Sequence, residues 1–127
     1  MPLYHNPATS AWAATQPAIG PNGNSYLGDV FTSEAPVEQQ MSAGFYEQRT
    51  GTPLVYAYDY DEMKVITYLS PEVEHFYISD EEGTKVDAKQ FDVFYFKKGC
   101  TITFEVVGKE GAYVKNFFTG LRPADAA

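Results

Sequence analysis

The chain has 127 residues and a formal net charge of −8, with 44% hydrophobic residues, 10 Tyr and 9 Phe. That is the length of about one domain with room for a core, and its acidity disfavours nucleic acid and anionic membrane surfaces, both of which need a basic face. The single Cys100 excludes an intrachain disulfide, and no stretch approaches the roughly 20 apolar residues of a membrane helix.

Residues 1–24 are rich in Pro, Ala, Asn and Gly and carry no period of 2 or 3.6, so they read as an irregular arm. Residues 10–15 could form one helical turn capped by Ser10, with Trp12, the only tryptophan, anchoring the arm on the domain or on a second subunit. These first residues lack the basic start and apolar run of a signal peptide, so the expected setting is cytoplasmic.

Residues 25–31 read as a short strand. Residues 40–48 alternate as a second, with Met41, Ala43 and Phe45 against Ser42, Gly44 and Tyr46. After the turn at 49–53, residues 53–60 place Tyr56, Tyr58 and Tyr60 on one face, and 61–67 continue as another strand. A Pro-containing interruption at 69–74 reads as a loop, followed by strands at 75–79 and 84–86.

Residues 93–96 and 101–104 then read as a hairpin about the Lys97-Lys98-Gly99-Cys100 turn. Both faces of its first arm are apolar, which predicts a strand covered on both sides. Residues 105–107 and 112–119 complete the strands, and 120–127 read as a tail. Short strands at regular turn spacing, almost without helix, point to an all-β sandwich or barrel.

The runs Gly51-Thr-Pro-Leu-Val-Tyr, Tyr60-Asp-Glu-Met-Lys-Val-Ile, Ile78-Ser-Asp-Glu-Glu-Gly and Asp92-Val-Phe-Tyr-Phe-Lys-Lys-Gly-Cys-Thr-Ile-Thr-Phe resemble, in order and spacing, short single-domain cupins of the ethanolamine-utilisation type, including fungal ones. The resemblance spans about residues 41–123 and implies a double-stranded β-helix (jelly-roll barrel), here residues 25–123, with 124–127 as a tail. It also implies a homodimer, which the Trp12-bearing arm suits by composition.

Cupins carry a His-x-His…Glu motif, whose positions fall on Tyr56, Tyr58 and Glu62, and a Pro-x-Gly-x-x-His motif. In the second, Lys97 replaces the proline, Gly99 stays, Ile102 stands at the histidine, and Phe91 replaces the opening glycine. With three imidazoles absent, the expectation is no metal and no other cofactor. A further departure is the longer loop that 67–75 suggest where the resemblance implies a tight hairpin.

What remains is two phenols and a carboxylate, with Lys64, Ile66, Tyr95, Ile102 and Phe104 as candidate lining for a small apolar carbonyl or phenolic ligand. Glu62 with Tyr56 and Tyr58 would suit acid–base catalysis of isomerase, cyclase, dehydratase or decarboxylase type. The plainer alternative is a non-catalytic binding or structural module, with Glu62 in an ion pair to Lys64 or Lys97 and the barrel filled by its own rings. Four other residues carry readings of their own. His75 reads as a solvated loop residue or a base at a barrel mouth. Lys97 and Lys98 would depress the Cys100 thiol. Of Lys115 and Asn116, at most one faces inward.

Overall fold

The computed structural model describes residues 2–122. Among them are nine strands: β1 (Ser25–Thr32), β2 (Ser42–Arg49), β3 (Leu54–Ala57), β4 (Glu62–Leu69), β5 (Val73–Asp80), β6 (Lys85–Asp87), β7 (Val93–Phe96), β8 (Thr101–Gly108) and β9 (Tyr113–Gly120). They form two antiparallel sheets, in the orders β1-β2-β9-β4-β7 and β3-β8-β5-β6. Period-2 alternation sends one face of each strand into the space between the sheets. There Phe76, Ile66, Val114 and Phe118 are fully buried.

From β3 onward the chain crosses from one sheet to the other at nearly every connection, only β5 and β6 pairing as a hairpin. This corrects the hairpin expected at 93–104. β7 pairs with β4, whereas β8 pairs with β3 and β5, so the 97–100 turn is a corner between sheets. The physical reason is interlayer packing: the rings of Phe96 and Phe104 meet edge to face at 5.6 Å across the core. β7 is also an edge strand, not a doubly covered one, since Val93 is 74% exposed.

The expected loop at 67–75 is likewise shorter than its composition suggested. β4 runs to Leu69 and β5 begins at Val73, so Pro71 sits in a tight connection between the sheets. The turn near the N-terminus starts earlier than expected, its first bonds running from the Ser10 and Ala11 amides to the Pro7 carbonyl.

The arm lies on the outer face of the five-stranded sheet, where Trp12 packs edge-on against Phe45 at 5.1 Å. Lys115 donates to the Trp12 carbonyl and holds its ammonium 4.4 Å from the indole centre. Asn116, next along β9, is therefore the residue that faces inward, fully buried. At the other end Arg122 is buried and pairs with Asp29 at 2.6 Å, while the Ser42 hydroxyl donates to its carbonyl. The rest of the expected tail, 123–127, lies outside the described residues.

Gly44 marks the tightest approach of backbone to backbone at a glycine of this sheet. A Cβ there would lie 2.0 Å from the Gly28 carbonyl oxygen and 2.9 Å from Asp29 Cα, beside the β1 bulge. Both obstacles are backbone and cannot rotate away. Gly44→Ala is expected to cost about 1–3 kcal/mol by forcing β1 off β2, measurable by urea unfolding; an unchanged midpoint would show that the bulge yields freely.

Candidate functional site

The segment between β3 and β4 carries the chemistry, and its placement is set by the corner at 97–100. Gly99 adopts φ +97, a conformation that side chains resist. From there its amide donates to the Tyr58 carbonyl at 2.8 Å, and the Tyr58 amide donates to the Cys100 carbonyl at 2.9 Å. Asp61 accepts from the Lys98 amide at 2.8 Å. Residues 58–61 are thus pinned against the opposite layer, and Tyr58 and Tyr60 turn inward beyond the end of β3.

A small cavity of about 20 Å³ opens between the sheets. Its wall includes Tyr46, Tyr56, Tyr58, Tyr60, Glu62 and Lys64, closed by Phe104 and aliphatic groups. Glu62 is 3% exposed and Lys64 also 3%. The Tyr58 hydroxyl donates to Glu62 Oε2 at 2.7 Å, and Lys64 Nζ lies 3.7 Å from the same oxygen. The Lys64 ammonium also sits over three rings, Tyr46 at 4.7 Å, Phe104 at 5.5 Å and Phe118 at 5.6 Å.

A second pair of phenols, Tyr56 and Tyr60, share a hydrogen bond of 3.0 Å. Tyr56 is only half-buried, whereas Tyr58 and Tyr60 are buried. Below them the Tyr46 hydroxyl donates to Gln48 Oε1 at 2.7 Å, and Gln48 donates to the Phe104 carbonyl at 2.8 Å.

Burial dominates the electrostatics. It pushes the Tyr58 hydroxyl far above the usual phenol range, with the Glu62 charge adding to the effect. Tyr60 and Tyr46 are raised for the same leading reason. Desolvation lowers Lys64 below the usual lysine range, against the opposing pull of Glu62.

The structure brings together five of the expected residues on this wall: Tyr56, Tyr58, Glu62, Lys64 and Phe104. Ile66 and Ile102 are buried in the core but do not reach the cavity. Tyr95 is a correction: it is 56% exposed and donates to Asp61 Oδ1 at 3.2 Å on the outer surface. With Phe94 and Phe96 turned in, the two-residue period leaves Tyr95 no choice but to face out. Sequence reasoning missed Tyr46 and Tyr60 as wall residues.

Two further expectations change. Cys100 has its thiol pushed up, by burial first and then the Glu81 carboxylate, and not depressed by the neighbouring lysines. His75 belongs to β5, where it pairs with Asp87 at 2.8 Å and stacks on Tyr77, away from the cavity. Phe91 holds φ 71, so the backbone at the motif's glycine position is left-handed although the residue is not glycine.

No family model and no curated protein matches the chain. Solved structures do. The chain is similar to the EutQ protein of Clostridium difficile, at 23% identity and TM-score 0.54, over 80% of this chain and 69% of that one. It is similar to the cupin domain of Schizosaccharomyces pombe Cnp3, at 17% identity and TM-score 0.63, over 90% and 68%. The fold is that of a small cupin. The polyketide cyclase RemF of Streptomyces resistomycificus has the same cupin-like architecture, at 9% identity and TM-score 0.71, over 95% and 82%.

A metal ion, which this fold commonly carries, fits poorly at the cupin cavity. The wall offers one carboxylate, and that oxygen already faces an ammonium 3.7 Å away. Divalent ions at such sites take imidazole, thiolate or several carboxylates, and a resident cation beside Glu62 repels another. Among the described residues no group of three or more His, Cys, Asp or Glu side chains could hold a metal. No helix among them is long and apolar enough to cross a membrane.

Proposed function

We propose that this cupin barrel is a metal-independent site for a small, largely apolar carbonyl or phenolic compound, and that it carries out acid–base chemistry of the isomerase, cyclase or lyase kind. The observation that supports this best is the Tyr58–Glu62–Lys64 chain, buried on a cavity wall. A buried ion pair is seldom a gain in stability over apolar residues of the same volume, so its presence there suits reactivity. Glu62 would move a proton at the carbon next to a carbonyl, and the Tyr58 hydroxyl would stabilise the oxygen that gains charge.

RemF, a polyketide cyclase by name, is one protein of this fold whose chemistry belongs to that class. A homodimer is part of the proposal. Val93 and Tyr95 on the edge strand β7 and Met63 on its neighbour β4 form an exposed strip on the five-stranded sheet, which would suit a second copy. Light scattering of the whole chain tests it.

A second reading is favoured by the cavity's size. About 20 Å³ holds little more than a water, and the tyrosine rings that fill the rest would make this a structural module with a structural ion pair. Deuterium uptake next to the carbonyl of acetaldehyde, the smallest carbonyl compound with a proton there, followed by NMR in heavy water, separates the two. The proposed activity predicts acceleration by the wild type and a loss of about a hundredfold or more in Glu62→Gln, the typical scale of one acid–base group. A variant as fast as the wild type removes Glu62 from the role, and no acceleration by either leaves the structural module.

A further inference from the structure

Lys64 supplies the one amine on this cavity wall. Its side chain is 2% exposed, its ammonium rests among the rings of Tyr46, Phe104 and Phe118, and Glu62 Oε2 is 3.7 Å from its nitrogen. The titratable groups that face it come from every packed element: Tyr46 on β2, Tyr56 on β3, Tyr58 and Tyr60 in the pinned segment, and Glu62 on its own strand. All but Glu62 are phenols, so a single carboxylate faces the amine on the cavity wall.

We infer that Lys64 is a nucleophile that takes a small aldehyde or ketone as a Schiff base, on the geometry of a wall-lining amine beside one proton-accepting carboxylate. This rests on the function proposed above and narrows its ligand from carbonyl or phenolic compounds to carbonyl compounds held covalently.

The step balances within the site. Lys64 Nζ gives a proton to Glu62, and its lone pair then attacks the carbonyl carbon to form the C–N bond. The carbonyl π pair moves to oxygen, which takes a proton from the attacking nitrogen and gives a carbinolamine. Glu62 returns its proton to the hydroxyl, which leaves as water as the nitrogen lone pair closes the C=N bond. The product is a protonated imine beside a restored Glu62 carboxylate.

Burial lowers the proton affinity of Lys64 and so favours the free amine that the attack requires. Lys115, the other buried lysine, is spent on the Trp12 carbonyl outside the barrel.

Formaldehyde, the smallest carbonyl and matched to a cavity of about 20 Å³, is the probe, with sodium cyanoborohydride to reduce the imine by hydride to a stable methylamine. The intact protein is treated near neutral pH and methylation at each lysine is followed by peptide mass spectrometry. The expected result is Lys64 methylated at least about tenfold faster than Lys97 and Lys98, as a desolvated amine on the cavity wall should be, with the preference lost in guanidinium chloride. Lys64 reacting more slowly than Lys97 and Lys98 in the folded protein overturns the inference. If that happens while Glu62→Gln still abolishes exchange on acetaldehyde, only the covalent step falls. If exchange is also absent from the wild type, the proposed function falls with it.

Discussion

Lys64→Met should destabilise the protein by about 3–5 kcal/mol, the usual result of leaving one member of a buried pair behind. For a chain of this length that is a fall of roughly 10–20 °C in Tm. Methionine keeps most of the lysine volume and packs well against Tyr46, Phe104 and Phe118, so lost packing contributes little. The cost comes from Glu62, which stays buried with only the Tyr58 hydroxyl on its charged oxygen. The double variant Glu62→Gln/Lys64→Met tests this cause. The neutral amide still accepts from Tyr58 and no charge remains, so stability should return to within about 1 kcal/mol of the wild type. Two single effects that simply add would mean that the pair is not coupled. A recovered double variant would also show that the interior gains nothing in stability from its charges, which leaves reactivity as what distinguishes Lys64 and Glu62 from two apolar residues.

The alternation that made the strands legible also sets the limit of what could be read. β2, β4, β8 and β9 announce themselves by period 2, and the motif positions point to Tyr56, Tyr58 and Glu62. Alternation says which residues share a face of a strand, but not which sheet the strand joins. Two β-rich runs about a four-residue turn therefore read as a hairpin at 93–104, although the contact of Phe96 with Phe104 across the layers makes it a corner. The same limit hid Tyr46. It shares its face with Ser42 and Gly44, while the opposite face of β2 carries Phe45. Phe45 is on the outside because Trp12, more than 30 residues earlier, covers it there. A contact that distant leaves no local signature. Tyr60 escaped for a different reason: alternation put it on the face of Tyr56 and Tyr58, but no motif position falls on it, and its place on the wall depends on hydrogen bonds that tie the segment after β3 to the 97–100 corner.

Alkaline pH should unfold the protein with unusual steepness. Burial holds the hydroxyls of Tyr46, Tyr58 and Tyr60 above the phenol value of 10.0, helped at Tyr58 by the charge and hydrogen bond of Glu62 and at Tyr60 by the hydrogen bond of Tyr56. In the unfolded chain the same three lose their protons near pH 10. A group whose folded value is raised gives its full stabilisation below the unfolded value and loses it as pH climbs towards the folded one. Each tyrosine then removes about 1.4 kcal/mol per pH unit, and the three together roughly 4 kcal/mol per pH unit. That consumes a stability at the lower end of the usual ~5–15 kcal/mol within about two pH units. Lys64 acts in the opposite sense. Its folded value is lowered, so stability rises with pH until the unfolded lysine value of 10.5 and gains nothing beyond it. The two effects place the stability maximum just below pH 10 and a cooperative collapse above it. Urea unfolding across this range, with phenolate absorbance recorded alongside, should show the three buried tyrosines ionising together with loss of the fold. Tyr58→Phe should reduce the alkaline slope by about a third. All ten phenolates appearing in a protein that stays folded would mean that water and hydroxide reach the three buried hydroxyls freely.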